Sequence, residues 1–227
     1  MTVTQGWDIS LNHGAVVQLR DGKLDNFWYY TDVAGSANRP GGAGSRVPVN
    51  NKVDRHTKAM ERLVWIRDWL ESVVNESQPE FVGVEDYALR AEQGAHQLGE
   101  VGGVARIILW NSGVHFRLHD PISVKMFATH DGTSQKDSIE TAVAERWGWD
   151  FSAYNPPPSP KGNPSRRTSE DLSDAFVIAQ LVWTEVQLRH GDIMLNSLHP
   201  KEVQVFNRVT KTYPESLLSR EWICRDR

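Results

Sequence analysis

Four carboxylates lie at positions from which a folded chain could gather them around a metal ion. Asp8 closes a short β-like stretch, and Glu85 closes the apolar run 81–85. Asp171 and Asp174 lie three residues apart in a helical pattern. Open α/β sheets collect their chemistry at strand ends, and helix residues at i and i+3 share a face. Because converging carboxylates repel one another, the pattern predicts a cation between them, and Mg²⁺ or Mn²⁺ prefers such oxygen ligands.

The chemistry that such a site suits is phosphodiester hydrolysis. One divalent ion activates the attacking water and a second stabilises the leaving oxygen, so no nucleophilic side chain is required. Taken singly, Asp8 is also typical of a turn, Asp171 of the first turn of a helix and Asp174 of a solvated face. Glu85 carries more weight, because a charge that ends a buried run is costly unless it is paired. The joint order of the four favours a metal-dependent phosphodiesterase.

The elements that must position these residues follow from the periodicity of apolar residues. Three β-like stretches with short turns predict an antiparallel meander, and two later apolar runs predict parallel strands. The predicted elements are, in order, strands 3–10, 14–19 and 26–33, helix 53–75, strand 81–85, helix 92–111, strand 115–119, and helices 123–128, 135–147 and 170–189. This order predicts an α/β, RNase H-like fold, with a five-stranded mixed sheet and helices on both faces.

The chain divides into a long domain and a short extension. Residues 1–190 are predicted to form the RNase H-like domain, and residues 191–227 a C-terminal extension with short helices near 200–210 and 215–221. Ser169 is predicted to cap the last long helix. The segments 34–51 and 155–167 are rich in Gly, Pro, Ser or Asn and are predicted to be exposed loops.

Composition sets outer limits on the class of protein. The 227 residues, 39% of them hydrophobic, suffice for one sizeable domain. No run is apolar enough to span a membrane, and we expect no signal peptide. The single cysteine, Cys224, excludes an intrachain disulfide and a cysteine-based metal site, which favours a reducing cytosol. The net charge of −4 argues mildly against nucleic-acid binding, although clustered carboxylates lower that total.

Four segments carry a resemblance to a known family. Residues 6–10, Gly-Trp-Asp-Ile-Ser, look like a Gly-x-Asp-x-Gly/Ser opening, and residues 82–85, Val-Gly-Val-Glu, look like a strand that ends in Glu. Residues 171–179 begin with Asp-Leu-Ser-Asp-Ala and look like a closing Asp-x-x-Asp-Ala motif. The glycine-rich segment 97–104 is similar to the helix that follows the Glu. In these features the sequence resembles the RuvC family of Holliday junction resolvases.

The resemblance implies a function and a set of site residues. It implies a homodimeric crossover junction endodeoxyribonuclease of DNA recombination and repair, in which the helix near 97–104 lies at the dimer interface. It implies that the four carboxylates bind two Mg²⁺ ions, with Mn²⁺ able to substitute. It also implies roles near the scissile phosphate or DNA for Lys136, which we expect to be catalytic, and Lys125. A divergent, phage-encoded member in the cytoplasm of a bacterial or infected cell fits the long loops and the added tail.

DNA contacts are expected from basic residues in loops and at helix starts, which suit phosphates. The candidates are Arg39, Arg46, Lys52, Arg55, Lys58, Arg90, Arg106, Lys161, Arg166 and Arg167. Phe127 and Tyr87 are candidates for stacking on exposed bases. The tryptophans that recur at helical spacing are predicted to lie in the core; they are Trp65, Trp69, Trp110, Trp147 and Trp183.

Other functions remain open. The long loops and the tail depart from the family, so a less selective nuclease for flaps, forks or single strands is an alternative. A non-catalytic DNA-binding protein is a third hypothesis, for which the loss of a carboxylate would be expected. Related folds fit less well: DEDD exonucleases need a Glu where Ser10 lies, actin-like ATPases need more glycine-rich loops, and RNase HI places its Glu on the first helix.

Overall fold

The computed structural model describes residues 1–31, 43–46, 55–86, 95–134, 137–155 and 168–225. The strands are β1 Val3–Ile9, β2 His13–Arg20, β3 Lys23–Thr31, β4 Ala43–Arg46, β5 Phe81–Glu85 and β6 His115–His119. The α-helices are α1 Arg55–Ser77, α2 Ala95–Asn111, α3 Pro121–Thr129, α4 Asp137–Trp147, α5 Thr168–His190 and α6 Pro200–Asn207. Short 3₁₀ helices lie at Ser152–Tyr154, Leu195–Ser197 and Leu217–Ser219.

The strands form one mixed sheet in the order β4-β3-β2-β1-β5-β6. Strands β1, β2 and β3 are antiparallel, and β5 and β6 run parallel to β1, which confirms the predicted α/β class. A sixth strand, β4, pairs in parallel with β3 inside the segment that was predicted to be a loop. Its sequence, Ala-Gly-Ser-Arg, has no apolar alternation, so only the neighbouring strand reveals it.

Each face of the sheet buries its own core. Trp7, Val82 and Val84 face α1 and α2, and they pack with Leu70 and Leu109 of those helices. The opposite face packs against α3, α4 and α5, with Ala15, Val17, Phe176 and Val177 among its buried side chains. Because successive strand residues point to opposite faces, Gly6 and Gly83 belong to the α5 side.

Helix α5 lies unusually close to β1 and β5. The parallel register pairs Gly6 with Gly83. A Cβ on Gly6 would lie closer than 3.0 Å to the carbonyl oxygen of Ala175, and a Cβ on Gly83 would lie 2.6 Å from Cγ2 of Ile178. The two glycines therefore form a gap in the sheet surface, which α5 fills with its backbone at Gly6 and with the side chains of Ile178 and Val182 at Gly83.

The start of α5 corrects one prediction. The helix begins at Thr168, and Ser169 is buried within its first turn instead of capping it. The Ser169 N–H donates to Oδ1 of Asn155 at 2.9 Å, and its hydroxyl donates to Glu140. A residue fourteen positions away thus supplies the capping oxygen, which a local pattern cannot predict.

The tail and the tryptophans also differ in part from expectation. Helix α6 ends at Asn207, and the helix predicted at 215–221 is reduced to three 3₁₀ residues. Trp110 is 42% exposed on α2, so its assignment to the core is wrong, whereas Trp69 is buried. Trp65, Trp147 and Trp183 pack against the two cores as partly buried side chains. None of the helices in the described ranges combines the length and apolarity that a membrane span needs.

The segment after residue 190 packs on the domain. Val205, Phe206 and Leu217 are buried in the core on the α5 face. Ile223 forms an antiparallel bridge with Phe116 of β6. The division at residue 190 stays a prediction, and in the structure the tail shares the core of the residues before it.

We predict that Gly6→Ala destabilises the protein by roughly 2–3 kcal/mol, because the new Cβ forces α5 away from β1. Urea unfolding followed by circular dichroism measures this change. The matched control is Gly103→Ala on α2, where a Cβ meets no atom within 4 Å. That change should be neutral or stabilising by about 1 kcal/mol, as expected for a helical glycine. Equal stability of Gly6→Ala and wild type would contradict the close packing.

Candidate active site

The first two carboxylates lie side by side on neighbouring strands. Asp8 and Glu85 follow the registered pair Gly6 and Gly83 by two residues each. They therefore point to the α5 face and lie on strands separated by about 4.8 Å. The Asp8 side chain is buried, with 5% of the residue exposed, and Glu85 is half-buried. The carboxyl ends of β1 and β5 thus bring two acids, 77 positions apart in the chain, to one edge of the sheet.

The other two carboxylates lie at the start of α5. Asp171 is 3% exposed and Asp174 is half-buried. The helix runs antiparallel to β1, since Gln180 farther along it donates to the Gly22 carbonyl at the opposite end of the sheet, at 3.1 Å. Its amino end, where the helix dipole favours anions, therefore faces the carboxyl ends of the strands.

The buried Tyr30 lies within electrostatic range of both Asp8 and Asp171. This β3 side chain is 1% exposed, and its hydroxyl donates to the carbonyl of Ser10. Burial raises the pKa of Tyr30 well above its ordinary value, and the carboxylates of Asp8 and Asp171 raise it further. Tyr30 therefore stays protonated and donates its hydroxyl to the Ser10 carbonyl.

His13 is a residue of this site that sequence analysis missed. Its Nδ1 lies 3.2 Å from Oδ2 of Asp171, and the Ser10 hydroxyl lies 3.0 Å from the ring nitrogens. The imidazole is 19% exposed and sits where β2 begins, after the turn from β1. A histidine after a turn gives no local signal, because only the approach of α5 brings Asp171 beside it.

The residues fit a divalent ion by donor type and by common location. All four acids offer hard oxygen ligands, and the helix, the strand ends and His13 surround one edge of the sheet. Within the described ranges, however, no three His, Cys, Asp or Glu side chains already have the spacing of a formed metal site.

The remaining predicted residues are less well placed or lie outside the described residues. Lys125 is half-buried on α3. Arg46 ends β4 and Arg106 lies on α2, on the face of the sheet opposite α5. Arg55 and Lys58 lie in the first turn of α1. The residues that fall outside the described ranges are Arg39, Lys52, Tyr87, Arg90, Lys136, Lys161, Arg166 and Arg167.

The prediction that Phe127 stacks on DNA bases is wrong. Phe127 is 3% exposed. Its ring packs at 6.4 Å centroid distance from Trp147 and from Phe206, and the guanidinium of Arg146 lies 5.6 Å from the ring centroid. The tail supplies Phe206, which closes the surface that Phe127 would otherwise present.

His119 is a buried titratable neighbour of the site. It pairs with Glu85 across the β5–β6 register. Burial, and then the positive charges of Arg117 and Arg220, lower the pKa of His119 to about 3. His119 is therefore neutral in the folded protein at any pH near neutrality.

The buried His119 predicts a specific acid sensitivity. Below the ordinary histidine pKa of 6.5, the unfolded chain binds a proton that the folded chain does not. Stability present above pH 6.5 is thus lost as pH falls towards 3, by about 1.4 kcal/mol per pH unit from this residue. In His119→Leu, the free energy of unfolding measured with urea should depend less steeply on pH between about pH 6 and pH 4. His115→Gln, an exposed change on the same strand, should keep the wild-type slope; an unchanged slope in His119→Leu contradicts the assignment.

The chain is similar to known proteins in one stretch of sequence and in its fold. No family model matches the sequence. A stretch of 75 residues is 35% identical to the crossover junction endodeoxyribonuclease RuvC of Koribacter versatilis (strain Ellin345). That match covers 32% of this chain and 45% of the relative, so it spans less than half of the relative's length.

Two solved structures have the same fold. Thermus thermophilus RuvC superposes with a TM-score of 0.52 at 19% identity, over 84% of this chain and 97% of that one. The same protein in complex with a Holliday junction substrate gives 0.53 at 18% identity, over 84% and 96% of the two chains. The resemblance to RuvC is therefore confirmed, and the chain adopts the RuvC-type, RNase H-like fold.

Proposed function

We propose that this protein is a metal-dependent DNA endonuclease that resolves four-way (Holliday) junctions by paired phosphodiester hydrolysis. The observation that supports the proposal is the placement of Asp8 and Glu85 at the carboxyl ends of paired strands, with Asp171 and Asp174 near the amino end of α5, in a RuvC-type fold. The Thermus thermophilus structure with a bound Holliday junction supports the choice of substrate. The lone cysteine supports action in the reducing cytosol of a bacterial or phage-infected cell.

The proposed cofactor is Mg²⁺, two ions per site, with Mn²⁺ able to substitute. The four carboxylates would hold the ions, which supply an activated water and neutralise charge on the phosphate when bound. Carboxylate oxygens suit these hard ions, and concentrated negative charge at one edge favours cation binding.

The chain's own residues orient this chemistry. Strand pairing fixes the backbone at Asp8 and Glu85, and the Gly6 contact fixes α5 and with it Asp171. His13 holds the Asp171 carboxylate from the side of β2. Such supporting contacts commonly set ligand orientation in metal centres. We further propose Lys136 as a catalytic lysine, and DNA contacts from Lys125, Arg39, Arg46, Arg90, Lys161, Arg166 and Arg167.

We predict that Asp8→Asn and Glu85→Gln each lower cleavage of a synthetic four-way junction by about 100-fold or more, because each loses a charge that holds the cation. Both variants keep the size of the side chain, so circular dichroism should show a wild-type fold. Gel assays with labelled arms measure the rate and map whether incisions are symmetric. Chelation with EDTA should abolish cleavage by wild type.

The matched control is Asp192→Asn, an exposed acid after α5. It should cut at the wild-type rate. Undiminished cutting by both active-site variants would overturn the carboxylate assignment. Cutting of flaps, forks or single strands in preference to junctions would overturn the substrate and favour the less selective nuclease. No cleavage of any substrate together with no Mn²⁺ binding in calorimetry would favour a non-catalytic DNA-binding protein.

Paired incision calls for two active sites, so we propose a homodimer that forms through α1 and α2. Four large apolar side chains on these helices are exposed: Met60 58%, Val64 42%, Ile107 61% and Trp110 42%. The two helices pack against each other, so these residues belong to one face of the molecule. An exposed apolar face of this kind typically marks an interface.

We predict that Trp110→Glu, or Ile107→Glu, raises the dimer dissociation constant by roughly 100-fold or more, since a buried unpaired charge is costly. Light scattering after size-exclusion chromatography measures the mass. Met194→Glu is the control, because Met194 is 72% exposed and lies beyond α5. It should leave the mass unchanged. A dimer that resists both α2 changes would exclude this face as the interface.

A further inference from the structure

The tail after α6 runs along β6 and contacts elements that carry the candidate acids. Phe116 of β6 and Ile223 exchange backbone hydrogen bonds at 2.9 and 3.0 Å. The Trp222 ring packs 5.1 Å from Phe81 at the start of β5, and the Arg117 guanidinium lies 4.6 Å from its centroid. The end of the tail therefore forms part of the sheet edge.

A buried ionic cluster fastens the tail to α5. Arg117 and Glu185 are 3% and 0% exposed, and their two hydrogen bonds are 2.8 and 2.9 Å long. Arg189 also donates to Glu185 at 2.8 Å. Arg117 and Arg189 each donate to the carbonyl oxygen of Arg220, at 2.9 and 2.6 Å. One tail carbonyl is thus held by two arginines, one from β6 and one from the helix that bears Asp171.

Tyr213 extends this attachment to the end of β5. Its hydroxyl donates to the carboxylate of Asp86, the residue after Glu85. The Asp86 N–H in turn donates to the His119 carbonyl at 2.8 Å. Burial, and then the Asp86 carboxylate, raise the pKa of Tyr213 above its ordinary value, so the phenol keeps the proton that it donates.

The Tyr213 ring is itself held in place. Thr210 N–H donates to the Tyr213 carbonyl at 2.7 Å, and Tyr213 N–H donates to the Thr210 hydroxyl at 2.9 Å, which closes a tight turn. The guanidinium of Arg220 lies 4.5 Å from the ring centroid. Tyr213 therefore reaches Asp86 from a rigid support.

A small polar cavity fills the junction between the tail and β6. It has a volume of about 10 Å³, which is room for roughly one water, and His119, Asp120, Tyr213 and Arg220 are among the residues that line it. His119 Nε2 and Arg220 Nε are buried, and neither has a hydrogen-bond partner among the described residues. A bridging water would satisfy both and complete the contact.

We propose that Tyr213 is a positioning residue: through Asp86, the tail fixes the end of β5 and so sets Glu85 relative to α5. The inference rests on the proposed function only in treating Glu85 as a metal ligand. The tail would then contribute to the geometry of the site without touching substrate or ion.

The test uses the full chain and measures Mn²⁺ binding by calorimetry alongside hydrogen exchange of the β5 amides. Tyr213→Phe and Asp86→Ala should each weaken Mn²⁺ binding by roughly 10-fold or more, the usual cost of losing a supporting contact. The double variant should bind Mn²⁺ no more weakly than Asp86→Ala alone, because that change already removes the oxygen that accepts from Tyr213. Amide hydrogen exchange should become faster at residues 82–86 and stay unchanged in α5.

Tyr154→Phe, which removes a phenol hydroxyl from a ring packed on Phe27, is the control and should match wild type in both measurements.

The outcomes separate the two proposals. Lower thermal stability with wild-type Mn²⁺ affinity and wild-type exchange at 82–86 would make the tail merely structural and overturn the inference. Additive losses in the double variant would also overturn it, because the two residues would then act separately. If wild type neither cuts DNA nor binds Mn²⁺, the proposed function fails, and the exchange of residues 82–86 still decides whether Tyr213 holds the end of β5.

Discussion

Helix α5 can rest on the sheet only because two neighbouring strand positions have no side chain. Gly6 and Gly83 are paired in register, and the helix backbone at Ala175 occupies the space that a Cβ on Gly6 would need. This contact sets the distance between α5 and the sheet and the position of the first turn of the helix. Asp171, one turn before Ala175, consequently meets the carboxyl ends of the strands, and the whole candidate site depends on that approach.

The close approach of α5 to the strand ends has an electrostatic cost. Asp8 and Asp171 are both nearly fully buried, and both act on the buried hydroxyl of Tyr30. Burying like charges together opposes folding unless a cation or hydrogen bonds compensate. The imidazole of His13, 3.2 Å from Oδ2 of Asp171, supplies part of the compensation within the chain. This cost is the physical reason for the proposal that a cation binds between the acids.

The buried charges at the opposite edge have a different effect. Glu185 is fully buried and receives hydrogen bonds from Arg117 and Arg189, which also hold the tail. Removal of one member of such a group is strongly destabilising, although the group as a whole adds little net stability. The group fixes how β6, α5 and the tail are oriented, because its hydrogen bonds form together only in one arrangement of the three. Arg117 of β6, Glu185 and Arg189 of α5 and the Arg220 carbonyl of the tail are thereby held together.

The sequence by itself determined the order of the other five strands and of the long helices, and the positions of the four acids at their ends, because hydrophobic periodicity and strand termini are local properties. Tertiary packing decided everything that depends on a distant partner. Strand β4 needs β3 beside it, the oxygen that caps α5 comes from Asn155, and His13 joins the site only because α5 brings Asp171 to it. The exposure of Trp110 and the contact of Tyr213 with Asp86 depend likewise on which faces meet, and no local pattern encodes that choice.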